Sequence, residues 1–298
     1  MSALPIDTAG WHRDAGLRLV AFLLRALPNR LRGKMRLARL LTRLVGRRAP
    51  VRLQDHLGNQ IWCPSIDEPI SQHLFANGVY EPDTQRIVLN FLRPGGCFLD
   101  VGANVGAIAV PVASARPDAR VLCVEGDPDI VEFLQRNVQR NLCTGVTVVG
   151  VLVGAASAQV PFHQAPAHKF GMGSIGTQFG GSPILLQQLS LDTVMDDAGI
   201  EAVDVVKIDI EGAELGALQG LRRRLTSASP PVVVFEFVDW AEPQIAGQAP
   251  GDAQRFLLGL GYRLFRLGAS GTVTDELSGP LTTGSTMIVA LPFGRQTP

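Results

Sequence analysis

From Cys97 onward, near-continuous apolar stretches alternate with segments of helical periodicity, and this rhythm restricts the fold more than any other property of the chain. The stretches at residues 97–101, 120–125, 146–151, 203–210 and 232–237 read as strands, and those at 105–115, 129–141, 190–198 and 213–225 as helices. Strands without polar alternation are buried on both faces, the condition of a parallel sheet covered by crossover helices. The last part breaks the rhythm. A helix over 251–260 leads to a strand at 262–267, a Gly/Thr/Ser-rich connection and a strand at 286–291. Two strands joined without a helix pair antiparallel. The expected fold is α/β and Rossmann-like, a mostly parallel sheet closed by an antiparallel hairpin and preceded by N-terminal helices.

Ahead of the sheet, apolar residues recur every third or fourth position from Ala15 to Leu27 and again from Leu31, with Pro28-Asn29 separating two helices. Residues 50–64 read as a hairpin and 81–92 as a helix ended by Pro94-Gly95-Gly96. The expected division is a basic helical extension over 1–48, a lead-in hairpin and helix over 49–96, and the main domain over 97–298. The 298 residues are 46% hydrophobic, which excludes wholesale disorder, and the apolar run Leu19–Leu24 is far short of a membrane span. Net charge is zero, yet residues 1–48 carry +9 and the remainder −9. The extension therefore reads either as a cap packed on the body or as a contact with a membrane surface or a protein partner through residues 15–48. The acidic body offers no basic groove for nucleic acid. Four cysteines without pairing spacing, and an N-terminus unlike a signal peptide, suggest a reducing, cytoplasmic setting. Nothing in the sequence fixes an oligomeric state.

The chemistry concentrates in three places. Leu99-Asp100-Val101-Gly102-Ala103-Asn104-Val105-Gly106 follows a strand and opens a helix, with the spacing Asp-x-Gly-x-x-x-Gly. This is neither the dinucleotide fingerprint nor a P-loop. A carboxylate at Asp100 suits a ligand with an ammonium group and repels a pyrophosphate. Glu125 ends the next strand, about 20 residues on, where an acid accepts ribose hydroxyls. Together the two acids ask for a cationic nucleoside bearing an amino acid, and S-adenosylmethionine fits. The plain alternative for Glu125 is a cap on the following helix.

Alternation places Lys207, Asp209 and Glu211 on one strand face, near its carboxyl end because three buried charges would be costly. Pairing of Lys207 with an acid, and service of Glu214 to the first turn of the next helix, are the structural readings there. Glu236 sits in another apolar run. Asp209, Glu211 and Glu236 are the catalytic candidates, as a general base or as holders of a divalent cation such as Mg²⁺. A glycine-rich loop over 164–183 carries His168, a lesser base candidate, with Lys169 and Ser174.

On these residues the chain resembles the FkbM family of S-adenosylmethionine-dependent methyltransferases. The matching stretches are Gly78-Val79-Tyr80-Glu81, Leu99–Gly106, Val124-Glu125, Leu189-Ser190-Leu191-Asp192 and Val206–Glu214, within about residues 51–291. The resemblance implies a seven-stranded class I methyltransferase fold. It also implies methyl transfer to a hydroxyl oxygen of a natural product or glycan-related small molecule. Asp100, Gly102, Asn104 and Gly106 would line the methionine part, Glu125 would hold the ribose, and Tyr80 and Glu81 would close the site. Gly126-Asp127 departs from the usual Phe-Glu-Pro pattern, and the third strand lacks an acid to read adenine. Backbone at Leu152 or the loop 171–176 is left to do so. The competing readings are a binding or assembly protein that keeps the fold without the catalysis, and an NAD-dependent oxidoreductase.

Overall fold

The computed structural model describes residues 15–29, 31–45, 50–165, 173, 175–176 and 182–296; His168, Lys169 and Ser174 lie outside that set. The chain divides into two compact units, Met1–Tyr80 and Glu81–Pro298.

In the first unit, helices α1 (Ala15–Ala26) and α2 (Lys34–Val45) precede the hairpin of β1 (Val51–Gln54) and β2 (Gln60–Cys63), and α3 (Pro69–Asn77) follows. The expected hairpin is present, pairing Val51 with Cys63 and Gln54 with Gln60. Helix α3 went unread because it is buried on several sides, which erases its amphipathic period. Its start is nonetheless chemical. The Glu68 carboxylate accepts the N–H groups of Ile70 at 2.9 Å and Ser71 at 2.6 Å, and Pro69 occupies the first turn. Arg25 of α1 closes the other end, donating to the carbonyls of Leu74 at 2.7 Å and Phe75 at 3.2 Å, and to Gln54 of the hairpin at 2.8 Å. The basic helices are thus pinned to the hairpin and α3.

The second unit opens with α4 (Pro82–Phe91), β3 (Cys97–Val101), α5 (Ala109–Ala115), β4 (Arg120–Glu125), α6 (Pro128–Arg140) and β5 (Val146–Gly150). Then come β6 (Leu152–Val153), β7 (Ala158–Phe162), β8 (Ile184–Leu189), α7 (Leu191–Asp197), β9 (Val205–Ile208), α8 (Glu214–Gly220) and α9 (Arg222–Leu225). It ends with β10 (Val232–Val238), α10 (Asp252–Gly259), β11 (Arg263–Leu267), β12 (Val273–Glu276) and β13 (Ser285–Leu291). The main sheet runs β12-β11-β13-β10-β9-β3-β4-β5, parallel from β10 to β5, with β13 antiparallel to both β10 and β11. Every residue of β3 and β9 is buried, which accounts for their apolar composition apart from Asp100 and Lys207.

The antiparallel closure is as expected, but the sheet has eight strands rather than seven. The extra one, β12, is a mostly exposed edge whose residues Val273-Thr274-Asp275-Glu276 carry no core pattern. Helix α5 begins at Ala109, not Val105, because Gly102, Asn104 and Gly106 all adopt positive φ, so residues between β3 and α5 form turns. The helix expected over 213–225 breaks at Leu221, whose φ of −102° and ψ of 5° leave helical geometry. A separate three-stranded sheet, β6-β8-β7, is formed by strands that precede and follow the long loop in sequence. Its strands are short or largely exposed and carry glutamines and a proline, so they escape an apolar-pattern search.

Candidate active site

Strand β3 lies between β4, which follows it in sequence, and β9, reached only later, so the strand order reverses between β3 and β9. Open α/β sheets form their ligand crevice at such a switch, outside the carboxyl ends of the strands. The turn after β3 is drawn over this edge. The N–H groups of Gly102 and Ala103 both donate to the Val124 carbonyl, at 2.9 and 3.1 Å. A Cβ at Gly102 would stand 2.0 Å from the carbonyl oxygen of Asp209. Only glycine lets these two strand ends approach so closely.

Lys207 is the hub beneath the crevice. Its ammonium donates to the Gly102 carbonyl at 2.9 Å and lies 3.3 Å from Asp100 Oδ1 and 3.7 Å from Asp209 Oδ2. Burial alone would push the ammonium down, but Asp100, Asp209 and Glu81 hold it above its ordinary value. Asp100 is fully buried, and its carboxylate has no hydrogen-bond partner besides the Lys207 ammonium. Burial raises the Asp100 carboxyl, and Lys207 opposes the rise. The sequence reading turned Asp100 toward the crevice; the structure gives its charge to Lys207.

Glu125, at the end of β4, spreads its two oxygens to the N–H of Asn104 at 2.9 Å and of Asp127 at 2.9 Å. Burial lifts its carboxyl to about 7, against the lowering effect of those hydrogen bonds. Each oxygen keeps a lone pair for a further donor. Beside it, Gly126, Pro128, Val131, Gly150 and Leu152 line a cavity of about 200 Å³. Helix α6 has its own cap, Asp127, accepting from the N–H of Asp129 at 3.0 Å, so Glu125 is spared that duty.

The expected alternation of Lys207, Asp209 and Glu211 along one strand fails after Asp209. Strand β9 stops at Ile208, and the Asp209 N–H still reaches the Val101 carbonyl at 3.1 Å. The next amides, of Ile210 and Gly212, turn to the Glu214 carboxylate at 3.0 and 3.3 Å. Glu214 thus serves the turn and the first turn of α8, and burial lifts its carboxyl to about 8. Glu211 is left in the turn at a φ of 56°. Even so, it remains close to Glu236 of β10. Burial, then the charges of Asp209, Glu211 and Glu214, raise the Glu236 carboxyl far above the usual range, and as an acid it hydrogen-bonds to Asp209. Asp209, 23% exposed, therefore stands between the Lys207 ammonium and the proton of Glu236.

Strain marks the same residues. Among the described residues five non-glycines have positive φ, and three of them are Glu81 (41°), Asn104 (50°) and Glu211 (56°). Such backbone costs about 1–3 kcal/mol each and gathers at functional sites. Gly106, at a φ of 85°, packs against Leu134 of α6. Tyr80 ends the first unit with its ring edge-on to His73, at 5.9 Å between centroids. Sequence reasoning overlooked Trp240, half exposed two residues beyond β10, because a lone aromatic after a strand gives no periodic signal. It also left the cavity unseen. Among the described residues no group of three or more His, Cys, Asp or Glu side chains is arranged to hold a metal ion, and the metal reading of Asp209, Glu211 and Glu236 draws no support.

A parallel sheet with an antiparallel closing strand inserted before its last partner, and acids rather than a basic phosphate cradle at its switch, defines a class I methyltransferase-type α/β protein. Residues 100–264 match the methyltransferase FkbM domain, and the chain belongs to that family. It is 25% identical over 198 residues to the 2-O-methyltransferase NoeI of Sinorhizobium fredii, covering 59% of this chain and 78% of that one. It is 28% identical over 179 residues to the hexuronic acid methyltransferase AglP of Haloferax volcanii, covering 59% and 67%. A further relative is the AMB antimetabolite synthetase AmbE of Pseudomonas aeruginosa, 28% identical over 218 residues, with 61% of this chain and 10% of that one aligned. The chain thus spans only a tenth of AmbE's length.

Proposed function

We propose that this protein transfers a methyl group from S-adenosylmethionine to a hydroxyl oxygen of a sugar or glycan-related small molecule. The observation that carries the reading is Asp209, partly exposed at the switch crevice, 3.7 Å from the Lys207 ammonium and hydrogen-bonded to Glu236, whose carboxyl burial raises. The cofactor fits the residues present. Glu125 has lone pairs for the ribose hydroxyls, and the largely apolar cavity beside Gly126 suits a flat base, with Leu152 on its wall. Asp100 lies beneath the glycine turn, and with Lys207 it fixes the edge against which the methionine part would rest. Bound there, S-adenosylmethionine supplies an electrophilic methyl on a sulfonium.

The chain then has two tasks, in-line positioning of the acceptor and removal of its proton. Asp209 takes the hydroxyl proton as the oxygen forms its bond to the methyl carbon. Glu236, kept neutral, steers the Asp209 carboxylate by donating to it. Glu211 faces the same group of acids from the strained turn and completes the acceptor side. Trp240 offers a flat apolar ring beyond the strand of Glu236, suited to the C–H face of a sugar. The names of NoeI and AglP, a 2-O-methyltransferase and a hexuronic acid methyltransferase, favour a sugar hydroxyl over other acceptors. The four free cysteines, three of them buried, suit a reducing compartment, and we place the reaction in the cytoplasm.

Calorimetric titration with S-adenosylmethionine and NAD, followed by mass spectrometry of a hexose and hexuronic acid panel, tests the reading. Binding of S-adenosylmethionine alone and a gain of one methyl on a sugar are expected. Asp209→Asn should lower turnover by about 10²–10⁴ while leaving cofactor affinity in place. Undiminished turnover in Asp209→Asn would remove the base from the scheme. Activity lost to a chelator and restored by Mg²⁺ would reinstate the metal reading.

A further inference from the structure

The two N-terminal helices bury one side and leave another large apolar side in solvent. On α1, Ala21 and Leu24 are buried, whereas Leu19, Phe22 and Leu23, spaced i, i+3 and i+4, share the opposite side, with Phe22 70% exposed. On α2, Ala38 and Thr42 are buried, and Leu37 and Leu40 are exposed, with Leu40 at 57%. Single exposed leucines are ordinary, but a repeated stripe on consecutive helices marks a contact surface. Arg36 and Arg43, both exposed, flank Leu40 at i−4 and i+3. The charge around this surface has one sign, since residues 15–54 contain eleven Lys and Arg and not one Asp or Glu.

We propose that the exposed side of α1 and α2 docks on an anionic lipid surface, with the leucines and Phe22 entering the acyl boundary and the arginines meeting lipid phosphates. Charge selects this occupant. A second copy of the same face would bring the exposed Arg32, Arg36, Arg39 and Arg43 against the same four cations, whereas an anionic bilayer offers apolar depth and negative headgroups together. Each helix has 12 residues, too short to cross a bilayer, and no described helix is long and apolar enough to do so. The helices therefore lie flat, their arginine stems reaching outward along the apolar side. Methyl transfer would then act on acceptors presented at or near the membrane.

Co-sedimentation of the full chain with vesicles of phosphatidylcholine alone, and of phosphatidylcholine mixed equally with phosphatidylglycerol, decides the matter. Binding to the mixed vesicles only is expected, weakened by high salt as headgroup attraction is screened. The pair Arg36→Glu with Arg43→Glu, and separately Phe22→Ser with Leu40→Ser, should each lower vesicle affinity about tenfold or more. Circular dichroism of both variants guards against loss of fold and is independent of the methyl-transfer reading. No binding to mixed vesicles, equal binding to neutral ones, or binding that survives both variants overturns the proposal. So does a concentration-dependent dimer in sedimentation that the same variants abolish, which would give the face to a second copy.

Discussion

Two ion networks in the second unit set one cation among acids to opposite ends. Around Arg224, nearly buried, the guanidinium donates to Asp192 Oδ1 at 3.0 Å, the Asp192 carbonyl at 3.1 Å, Asp196 Oδ1 at 2.6 Å and the Ile200 carbonyl at 3.0 Å. Hydrogen bonds from Arg224 hold the Asp196 carboxyl below its ordinary value. Around Lys207, one compact ammonium answers three carboxylates, and that of Asp100 has no other hydrogen-bond partner. The planar fork saturates its acids, and the point charge does not. A saturated network holds α7 to α9; an unsaturated one keeps carboxylates that can still accept a proton or a ligand. Asp192 of the first network and Asp100, Lys207 and Asp209 of the second all lie in stretches that carried the family resemblance, so a motif alone does not say which is structural.

The comparison breaks most visibly at Lys207. Replacement by Met strands Asp100 in the core without a counter-charge and should cost about 3–5 kcal/mol of stability, read in denaturant titration. Adding Asp100→Asn should recover a large part. A Lys207→Met protein as stable as the parent would mean that the hub is not a hub. Arg224→Met should cost less, about 2 kcal/mol, because Asp196 is already half exposed and can return to water. Its turnover per folded molecule should match the parent, and a selective loss of turnover would erase the distinction between the networks.

The smallest effect concerns pH. Burial sets the Glu125 carboxyl at about 7 in the folded chain, above its ordinary 4.5. Its contribution to the stability of the free protein is therefore complete below about 4.5 and is lost as pH rises through about 7. Ribose hydroxyls donate to the ionised form, so affinity for S-adenosylmethionine should rise as pH climbs through about 7, by at most tenfold per unit. Calorimetry across that range should show the rise, and Glu125→Gln should flatten it. A parent profile already flat would detach Glu125 from the ribose.

Much of the sheet could be read in advance because apolar runs such as 97–101 and 120–125 carry their burial in their composition. Elements failed to show where that link is cut. Strand β12 is polar because it is an edge, and α3 lacks an amphipathic period because it is enclosed. In the site, Asp209 and Glu236 were found as acids out of place in apolar strands. The turn that moves Glu211 off the strand was not, since it depends on Glu214 capturing the amides of Ile210 and Gly212. The capture of Asp100 by Lys207 was half legible, as a pairing without a partner. Ser190 and Asp192, prominent in the resemblance, serve packing. Ser190 caps α7 through the Thr193 N–H at 3.1 Å, and Asp192 meets Arg224.

Positive φ at Glu81, Asn104 and Glu211 carries a consequence for anyone who breeds this protein for heat resistance. Glycine relaxes a left-handed backbone, so selection for survival at high temperature alone would drift toward glycine at these positions. Each gain would remove a side chain of the proposed site, and on that reading the hardiest lineages would be the least active. Activity must be screened alongside endurance, or the winners will be well-made husks.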